Sequence, residues 1–514
     1  MGIVTRLSTT VLLLSAAAAI HSSVGDQGIT ARQGRRWFWG LLIAAVILRI
    51  MAFDAYSAHH QDETIQYLEQ AHRIVFGYGF VPWEYRYFIR SWLIPLLLVP
   101  PMQLGEWLNP GGTLYLILPR AMIAAVNLVP VIAAWFIGKR ISTAHAVVGM
   151  AVMAVWIESV FFSVQTLSES LSVACFFAAV ALLHREARLG SIIGAGALMA
   201  LAGLFRFQFG PAIALFALLT VGKDRRMWAG LLLGGVPVVV GGGLLDLAMG
   251  LRPYEWILNN YNANIAQGRM KEIGGVETWY YVKAIPHYWK WAVVPVLIFL
   301  IPGWRRSPAL FAAALLNIGV HQFIGHKEYR YLWLSIEILL LLASFGSVDF
   351  LKQASLPKWA SALGKFPIGT AVGCWAILSL SLAATPTYRT DWREAGGPSR
   401  LAAETLADPG VCGMAVPMGP YARFGYALLH QPKPVFLIGV GKPPSRMNPA
   451  PASAGFNALL AWESEPHPKG FPVKGDCMGR GDDRLCAYRR PGGCTVDERS
   501  RSLEYQQTLS RLNM

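Results

Sequence analysis

The chain has 514 residues, of which 54% are hydrophobic and 15% are charged. Soluble domains carry about 25% charged residues, so this composition argues against an ordinary soluble globular protein. The formal net charge is +15. The basic residues collect in short loops between apolar segments, which is typical of cytoplasmic anchors rather than of nucleic-acid binding. We therefore expect an all-α polytopic membrane protein whose partners include the membrane and no nucleic acid.

The first apolar segment, residues 11–20, is short and resembles a secretory signal peptide. Its cleavage would leave Arg32, Arg35 and Arg36 outside the membrane just before the next apolar segment, which opposes the positive-inside bias. We therefore expect residues 1–36 to form an uncleaved cytoplasmic leader without a function of its own.

The first predicted span covers residues 37–53, and a polar outer loop follows over residues 54–90. Residues 92–108 are apolar but contain three prolines, which predicts an interfacial or re-entrant piece rather than a clean span. Later apolar segments bring the total to about eleven transmembrane helices, with the basic clusters on the inner side throughout. These later segments are residues 114–137, 144–162, 166–183, 191–204, 209–221, 228–249, 291–300, 309–323, 331–345 and 368–384.

After about residue 386 the chain becomes polar and rich in proline and glycine. The span count places this segment outside, so residues 387–514 are predicted to form a small extracytoplasmic domain. Four cysteines in an exported domain favour two disulfides with three possible connectivities, while four free thiols in an inner domain are the alternative. The spacings lack the paired knuckles of a zinc site. The disulfide candidates are Cys412, Cys477, Cys486 and Cys494.

The first polar loop carries a pair of adjacent carboxylates, Asp62 and Glu63, close to the end of the first span. From Asp62 onward the pattern is helical, with Ile65 and Leu68 on one side and Asp62 and Glu69 on another. Such a helix can lie flat on the bilayer with its apolar face down, which would present Asp62 to water and to a lipid headgroup. The alternative is that Asp62 merely caps the helix.

Glycosyl transfer needs a base that accepts the proton of the acceptor hydroxyl, and a carboxylate at the bilayer interface suits that task. Asp62 is therefore a candidate base. Further along the loop, the amphipathic ring of Trp83 suits either a sugar face or the membrane interface. Arg90 is a candidate for stabilising the loop or for meeting a phosphate.

A second polar segment places the cations His326, Lys327 and Arg330 on the predicted outer side, which opposes the positive-inside bias. A lipid-linked phosphate leaving group explains them, because cations would balance its charge in the transition state. The alternatives are an internal salt bridge with Glu328 or contact with an anionic lipid. Arg206, at another predicted outer span end, is a further candidate for this cluster.

These two segments together resemble glycosyltransferase family 22, the mannosyltransferases that use dolichyl-phosphate mannose. Order and spacing agree with the family pattern, although Pro82 replaces a usual threonine and the four-cysteine tail is not a family feature. The matching residues are His60-Gln61-Asp62-Glu63, Glu69, His72, Phe76-Gly77-Tyr78-Gly79, Pro82-Trp83-Glu84, Arg90-Ser91 and His326-Lys327-Glu328-Tyr329-Arg330.

The resemblance implies a GT-C fold for residues 37–386 and a metal-independent, inverting transfer without a cofactor. It implies Asp62 as the base, with Glu63 as second choice. The donor would be a lipid-linked sugar, with mannose favoured, and the acceptor a glycolipid or a lipid-linked glycan. The implied substrate-binding residues are His60, Glu69, His72, Trp83, Glu84 and Arg90. The candidates for binding the donor phosphate remain His326, Lys327, Arg330 and, from its predicted place at an outer span end, Arg206.

The membrane would be the inner membrane of a bacterium, with an undecaprenyl-type carrier, or the endoplasmic reticulum of a eukaryote. Two other functions stay open. A transporter or flippase of lipid-linked sugars would show inverted repeats or charges buried in mid-span, and the sequence pattern indicates neither. A non-enzymatic scaffold would use the C-terminal domain as its binding module.

Overall fold

The computed structural model describes residues 29–57, 59–184, 186–263, 277–353, 367–391, 396–417, 424–438, 454–464, 468–479 and 484–495. Most of the predicted leader, residues 1–28, lies outside the described residues. The chain forms two compact units. We call Met1–Phe53 with Ile123–Arg389 the helical unit, and Asp54–Met122 with Thr390–Met514 the loop–tail unit.

The described part of the helical unit consists mainly of apolar helices. Its helices are Ala31–Ala52, the end of Leu114–Val126, Val129–Lys139, Thr143–Val155, Ile157–Ser163, Ser168–Leu182, Leu189–Phe205, Gly210–Val221, Arg225–Ala248, Glu255–Tyr261, Tyr280–Trp289, Val293–Gly303, Pro308–Phe323, Trp333–Gln353 and Pro367–Ala383. The loop–tail unit holds the helices Glu69–Phe76, Trp83–Arg86, Leu93–Leu108, the start of Leu114–Val126, Gly396–Ala407 and Tyr426–Leu429.

Among the described residues, four helical segments are long and apolar enough to cross a membrane: Leu114–Lys139, Arg225–Ala248, Tyr280–Arg306 and Tyr329–Leu351. A fifth is the bent pair Thr143–Val155 and Ile157–Ser163, whose axes differ by 61°. Shorter apolar helices accompany them. The prediction of a helical, multi-pass membrane protein is confirmed, while the count of about eleven spans stays a prediction.

The bend in the fifth segment falls at Trp156, whose backbone is extended (φ −59°, ψ 128°). A break inside an apolar span frees carbonyl groups that lipid cannot satisfy. The guanidinium of Arg49, buried at the end of the first helix, donates to the carbonyls of Met153 at 3.2 Å and Ala154 at 3.1 Å. Arg49 therefore stabilises the break.

The proline-containing segment Leu93–Leu108 is one helix that runs through Pro100 and Pro101. Its assignment as an interfacial or re-entrant piece stays a prediction. Proline removes a backbone donor and crowds the preceding turn, but its fixed φ is compatible with a helix.

The C-terminal segment, residues 387–514, is called the tail here. Its described residues include β-strands, so the all-α prediction is wrong for this part of the chain. Its strands are β1 Met414–Pro417, β2 Val435–Ile438, β3 Ala458–Trp462, β4 Val473–Met478 and β5 Leu485–Arg489. They form one sheet of order β2-β1-β3-β5-β4. β1 pairs in parallel with β2 and β3, whereas β5 pairs antiparallel with β3 and β4. β1 and β2 are buried at every position, and short apolar runs of this kind cannot be told from helix by periodicity.

Two disulfides close the tail. Cys477 and Cys486 face each other across the β4–β5 pair, with Cα atoms 4.0 Å apart. Cys412, just before β1, bonds to Cys494, which follows β5, with Cα atoms 5.9 Å apart. The structure thus selects one of the three connectivities that the sequence left open.

Candidate active site

The acidic loop begins its helix at Asp62, with a π-helical turn over Glu63–Leu68 and an α-helix over Glu69–Phe76. The helix ends at Gly77, whose φ of 78° is a left-handed conformation that favours glycine. Asp62 already has helical backbone angles, and among the described residues its side chain forms no capping hydrogen bond. The capping alternative is therefore not the arrangement found.

Asp62 is held by two side chains and stays partly open. The Gln66 amide donates from Nε2 to its Oδ1 at 2.9 Å. The Arg90 guanidinium lies 4.0 Å from its Oδ2, and the Asp62 side chain is 21% exposed. Both oxygens of an ionised carboxylate are hydrogen-bond acceptors, and the partial exposure of Asp62 gives a substrate hydroxyl access to them.

The same Gln66 nitrogen also donates to Glu84 Oε1, at 2.8 Å, so one amide bridges two carboxyl groups. Glu84 is buried, and its pKa is raised to about 6, chiefly by burial. The charge of Arg90 acts to lower this pKa and the charge of Asp62 acts to raise it. Glu84 therefore has a higher proton affinity than an ordinary carboxyl group.

Glu63, the second-choice base, is fully buried. Its Oε1 accepts from the backbone N–H of His60 at 3.2 Å, and its Oε2 lies 3.5 Å from the buried guanidinium of Arg120. A carboxylate committed to a buried ion pair is a structural partner. The geometry therefore favours Asp62 over Glu63 as the base.

Glu69 lies on the side of the helix that the sequence predicted to face water, yet it is fully buried, and so is His72. On the opposite side, Ile65 packs in a hydrophobic core with tail residues such as Met414 and Leu460. The prediction of a helix lying flat on the bilayer is wrong, because both of its faces are covered by protein. Trp83, by contrast, keeps part of its ring exposed.

In the helical unit, the predicted cations cluster around Glu328. Arg330 donates to both Glu328 oxygens, from Nε at 2.6 Å and from Nη2 at 3.2 Å, and His326 Nε2 lies 2.9 Å from Oε1. Lys327 is buried and donates to the carbonyl of Ile324 at 2.8 Å. The internal salt bridge that the sequence left as an alternative is therefore present.

Arg206 belongs to the same cluster. Its Nη2 lies 3.4 Å from Glu169 Oε1, and Nη1 of Arg330 lies 3.7 Å from the same oxygen. Both guanidinium groups also lie over the Tyr331 ring, at 4.6 Å and 5.3 Å from its centroid. Sequence reasoning missed Glu169, although a carboxylate inside an apolar segment is itself a signal of function.

Glu158, which the sequence analysis also missed, fixes the position of the motif that carries Arg330. Its carboxylate accepts from the hydroxyls of Tyr329 at 2.6 Å and Tyr388 at 2.8 Å. It also accepts from the indole N–H groups of Trp289 at 2.8 Å and Trp156 at 3.0 Å. Because Tyr329 directly precedes Arg330, this buried carboxylate holds the backbone from which Arg330 extends.

Residues 39–387 match the model of the Alg9-like mannosyltransferase family. The chain belongs to this family. The predicted resemblance to mannosyltransferases is thereby confirmed, and the match covers both the acidic loop and the cation motif. The tail beyond residue 387 lies outside the matched range.

The similar curated proteins are GPI mannosyltransferases. GPI mannosyltransferase 3 of Yarrowia lipolytica is 26% identical, over 62% of this chain and 64% of that protein. GPI mannosyltransferase 3 of Drosophila melanogaster is 36% identical, over 17% of this chain and 16% of that protein. The chain thus spans less than two thirds of the length of these relatives.

Two solved structures share the fold. The crystal structure of ArnT from Cupriavidus metallidurans bound to undecaprenyl phosphate superposes with a TM-score of 0.56 at 11% identity, covering 90% of this chain and 99% of that one. The apo structure of the same protein gives 0.52 at 12% identity, covering 88% and 98%. At these identities the likeness concerns the fold alone, and it agrees with the expected GT-C architecture.

Proposed function

We propose that this protein is a membrane glycosyltransferase that moves a sugar, with mannose favoured, from a polyprenyl- or dolichyl-phosphate carrier to a glycolipid or lipid-linked glycan. The observation that carries the proposal is the environment of the Asp62 side chain. Among the acidic side chains of the family motif in the first loop, it combines partial exposure with an ordered amide donor and a nearby guanidinium. Family membership supports the class of reaction.

In this proposal Asp62 accepts the proton of the acceptor hydroxyl as that oxygen attacks the anomeric carbon. The new glycosidic C–O bond forms while the bond from the anomeric carbon to the carrier phosphate breaks, and the electron pair leaves with the phosphate. Gln66 fixes the rotamer of Asp62, because the two hydrogens of its amide are directed to two carboxyl groups. Attack from the side opposite the phosphate inverts the anomeric centre.

The departing phosphate needs cations, and we assign this role to Arg206 and Arg330, with His326 and Lys327 in support. Glu169 and Glu328 hold the two guanidinium groups in fixed directions before the carrier binds, so little reorganisation is required. The likeness to a protein crystallised with undecaprenyl phosphate supports a lipid phosphate as the ligand class. An undecaprenyl-type carrier would place the protein in the inner membrane of a bacterium, and a dolichyl carrier would place it in the endoplasmic reticulum of a eukaryote.

The test is incubation of the purified protein with radiolabelled polyprenyl-phosphate mannose and membrane lipids, followed by a search for a labelled glycolipid. Asp62→Asn should reduce the transfer rate by about 10²–10⁴-fold, the usual contribution of a general base. The matched control is Glu404→Gln, which alters an exposed carboxylate of the same unit. Transfer should persist in EDTA, because the family resemblance implies a metal-independent reaction.

An unchanged rate in Asp62→Asn would remove this residue as the base. Movement of the labelled lipid across liposomes without any glycosidic product would instead favour a transporter.

A further inference from the structure

The tail of the loop–tail unit lies outside the matched family range, and it makes several contacts with the helix that follows Asp62. The carboxylate of Glu69 is at the centre of these contacts. It is fully buried and accepts a backbone N–H on each oxygen, from Phe80 to Oε1 at 2.9 Å and from Ala427 to Oε2 at 2.8 Å. One donor thus belongs to the loop and the other to the tail.

The carboxylate of Glu69 fits because two neighbouring residues are glycines and have no side chain in the space that it occupies. A Cβ atom on Gly79 of the loop would lie 2.8 Å from Glu69 Oε1, and one on Gly425 of the tail would lie 2.6 Å from Oε2. Gly79 also has a φ of 138°, which side chains rarely adopt. The loop and the tail are therefore shaped around the same side chain.

A second contact joins the same helix to the tail one turn later. His72 Nδ1 lies 3.2 Å from the carbonyl oxygen of Tyr78, so this nitrogen carries the proton and donates it. His72 Nε2 then accepts from Nδ1 of His430, at 3.2 Å. The His430 ring stacks on Tyr115 with centroids 3.8 Å apart. Burial lowers the pKa of His72 to about 3, which agrees with a neutral pair.

These contacts act on the candidate base through the backbone. The π-helical turn Glu63–Leu68 connects Asp62 to Glu69 and carries Gln66, whose amide orients Asp62. Within that turn Ile65 is buried in one hydrophobic core with the tail residues Leu429 and Leu460. A displacement of the tail would therefore shift Gln66 and change the direction of the Asp62 carboxylate.

We propose that the tail is an integral part of the active site, with Glu69 and His430 as positioning residues that fix the Asp62 loop. This inference rests on the proposed function for its catalytic consequence. It also assigns Glu69 and His72 a different role from the substrate binding that the family resemblance implied, because their polar atoms are used by protein partners.

The test compares two tail substitutions that differ only in what the new methyl group meets. Gly425→Ala places a Cβ 2.6 Å from Glu69 Oε2 and 2.9 Å from Cγ2 of Thr64, which belongs to the turn after Asp62, whereas Gly493→Ala places one where no described atom lies within 4 Å. We expect kcat to fall by about 100-fold in Gly425→Ala, since misplacement by about 1 Å has this effect, with KM for the donor within about threefold of wild type. Gly493→Ala should leave both parameters unchanged.

A second arm tests whether Glu69 carries the coupling. Glu69→Gln should lower kcat, because its amide NH2 would meet one of the two N–H donors. The combined Glu69→Ala and Gly425→Ala variant should lose less activity than the product of the two single losses, because removing the carboxylate relieves the clash. Independent, multiplicative losses, or a rise of more than tenfold in KM with unchanged kcat, would overturn the positioning role.

A third measurement does not depend on catalysis. Gly425→Ala should increase amide hydrogen exchange over residues 62–80, while Gly493→Ala should not. Unchanged exchange in both variants would overturn the coupling of tail and loop. Increased exchange together with an inactive wild-type protein would instead reject the proposed function and leave the coupling standing.

Discussion

The loop–tail unit and the helical unit satisfy their charged motif residues in different ways. In the loop–tail unit, the fold buries Glu63, Glu69 and Glu84 and leaves Asp62 partly open. In the helical unit, Arg206 and Arg330 are both buried and share the carboxylate of Glu169. The first arrangement leaves one carboxylate accessible, as the proposed proton transfer requires, whereas the second keeps a pair of cations fixed in one place.

This difference shows that residues which are neighbours in one sequence motif can have different roles, because the fold buries some of them and leaves others accessible. Backbone N–H groups, a side-chain amide and, for Glu63, the buried guanidinium of Arg120 satisfy the buried acids of the loop, so removal of these acids should affect stability. The buried Arg206 and Arg330 are paired with carboxylates, so their removal should weaken the binding of an anionic ligand and also lower stability.

The largest expected effect comes from replacing each of the two adjacent acids by its amide and comparing the results. Asp62→Asn should lower kcat by about 10³-fold at an unchanged Tm, as a partly exposed base requires. Glu63→Gln should instead destabilise the protein by about 3–5 kcal/mol, because Arg120 would be left buried without its partner. Kinetics and thermal melting of both variants check this contrast. Loss of kcat without loss of Tm in Glu63→Gln would contradict it.

The cation cluster gives the next effect. Arg330→Lys should weaken binding of a polyprenyl phosphate about 10–100-fold, since lysine cannot reproduce the directed donors of a guanidinium. Arg305→Lys, at an exposed site of the same unit, is the matched control. Titration of each variant with the lipid phosphate measures the change. Equal affinities would show that Arg330 serves only its internal salt bridge with Glu328.

The disulfides sharpen the comparison in a third way, because they belong to the tail while the described cysteines of the helical unit, Cys175 and Cys374, are free. Removing Cys412–Cys494, with a separation of 82 residues, should cost about 4.5 kcal/mol of stability. Removing Cys477–Cys486, with a separation of 9, should cost about 2.6 kcal/mol. Paired Cys→Ser variants and thermal melting provide the test, and the reverse order would contradict it.

The smallest effect concerns pH. The pKa of Glu84 rises from its ordinary value near 4.5 to about 6, so the folded state favours the protonated form. That contribution is present below pH 4.5 and is lost as the pH rises through about 6, where the carboxylate must be ionised while buried. Glu84→Gln should therefore gain up to about 2 kcal/mol over the wild-type protein at pH 8.

The gain in Glu84→Gln should vanish near pH 4, because the wild-type carboxyl is then neutral as well. Melting temperatures of both proteins at several pH values measure it, and Glu404→Gln serves as the control because its carboxyl is exposed. A constant difference in Tm across this range would show that folding does not raise the pKa of Glu84.

Much of the candidate site could be predicted from the sequence because the motifs are local. The acidic pair at Asp62 and the cations around Arg330 each lie within a few consecutive residues, so their grouping needs no knowledge of the fold. Arg206 required an inference from topology, and the structure brings it onto the same carboxylate as Arg330. Glu169 and Glu158 escaped notice because their partners are remote in sequence.

By itself, the sequence determined the membrane class, the family and the residues that carry charge, since hydropathy, spacing and composition are properties of short segments. Only the tertiary structure decided which of those charges remain accessible. Glu69 illustrates the reason: its burial depends on Ala427, which lies 358 residues further along the chain. Burial depends on contacts between distant segments, and those contacts exist only once the chain has folded.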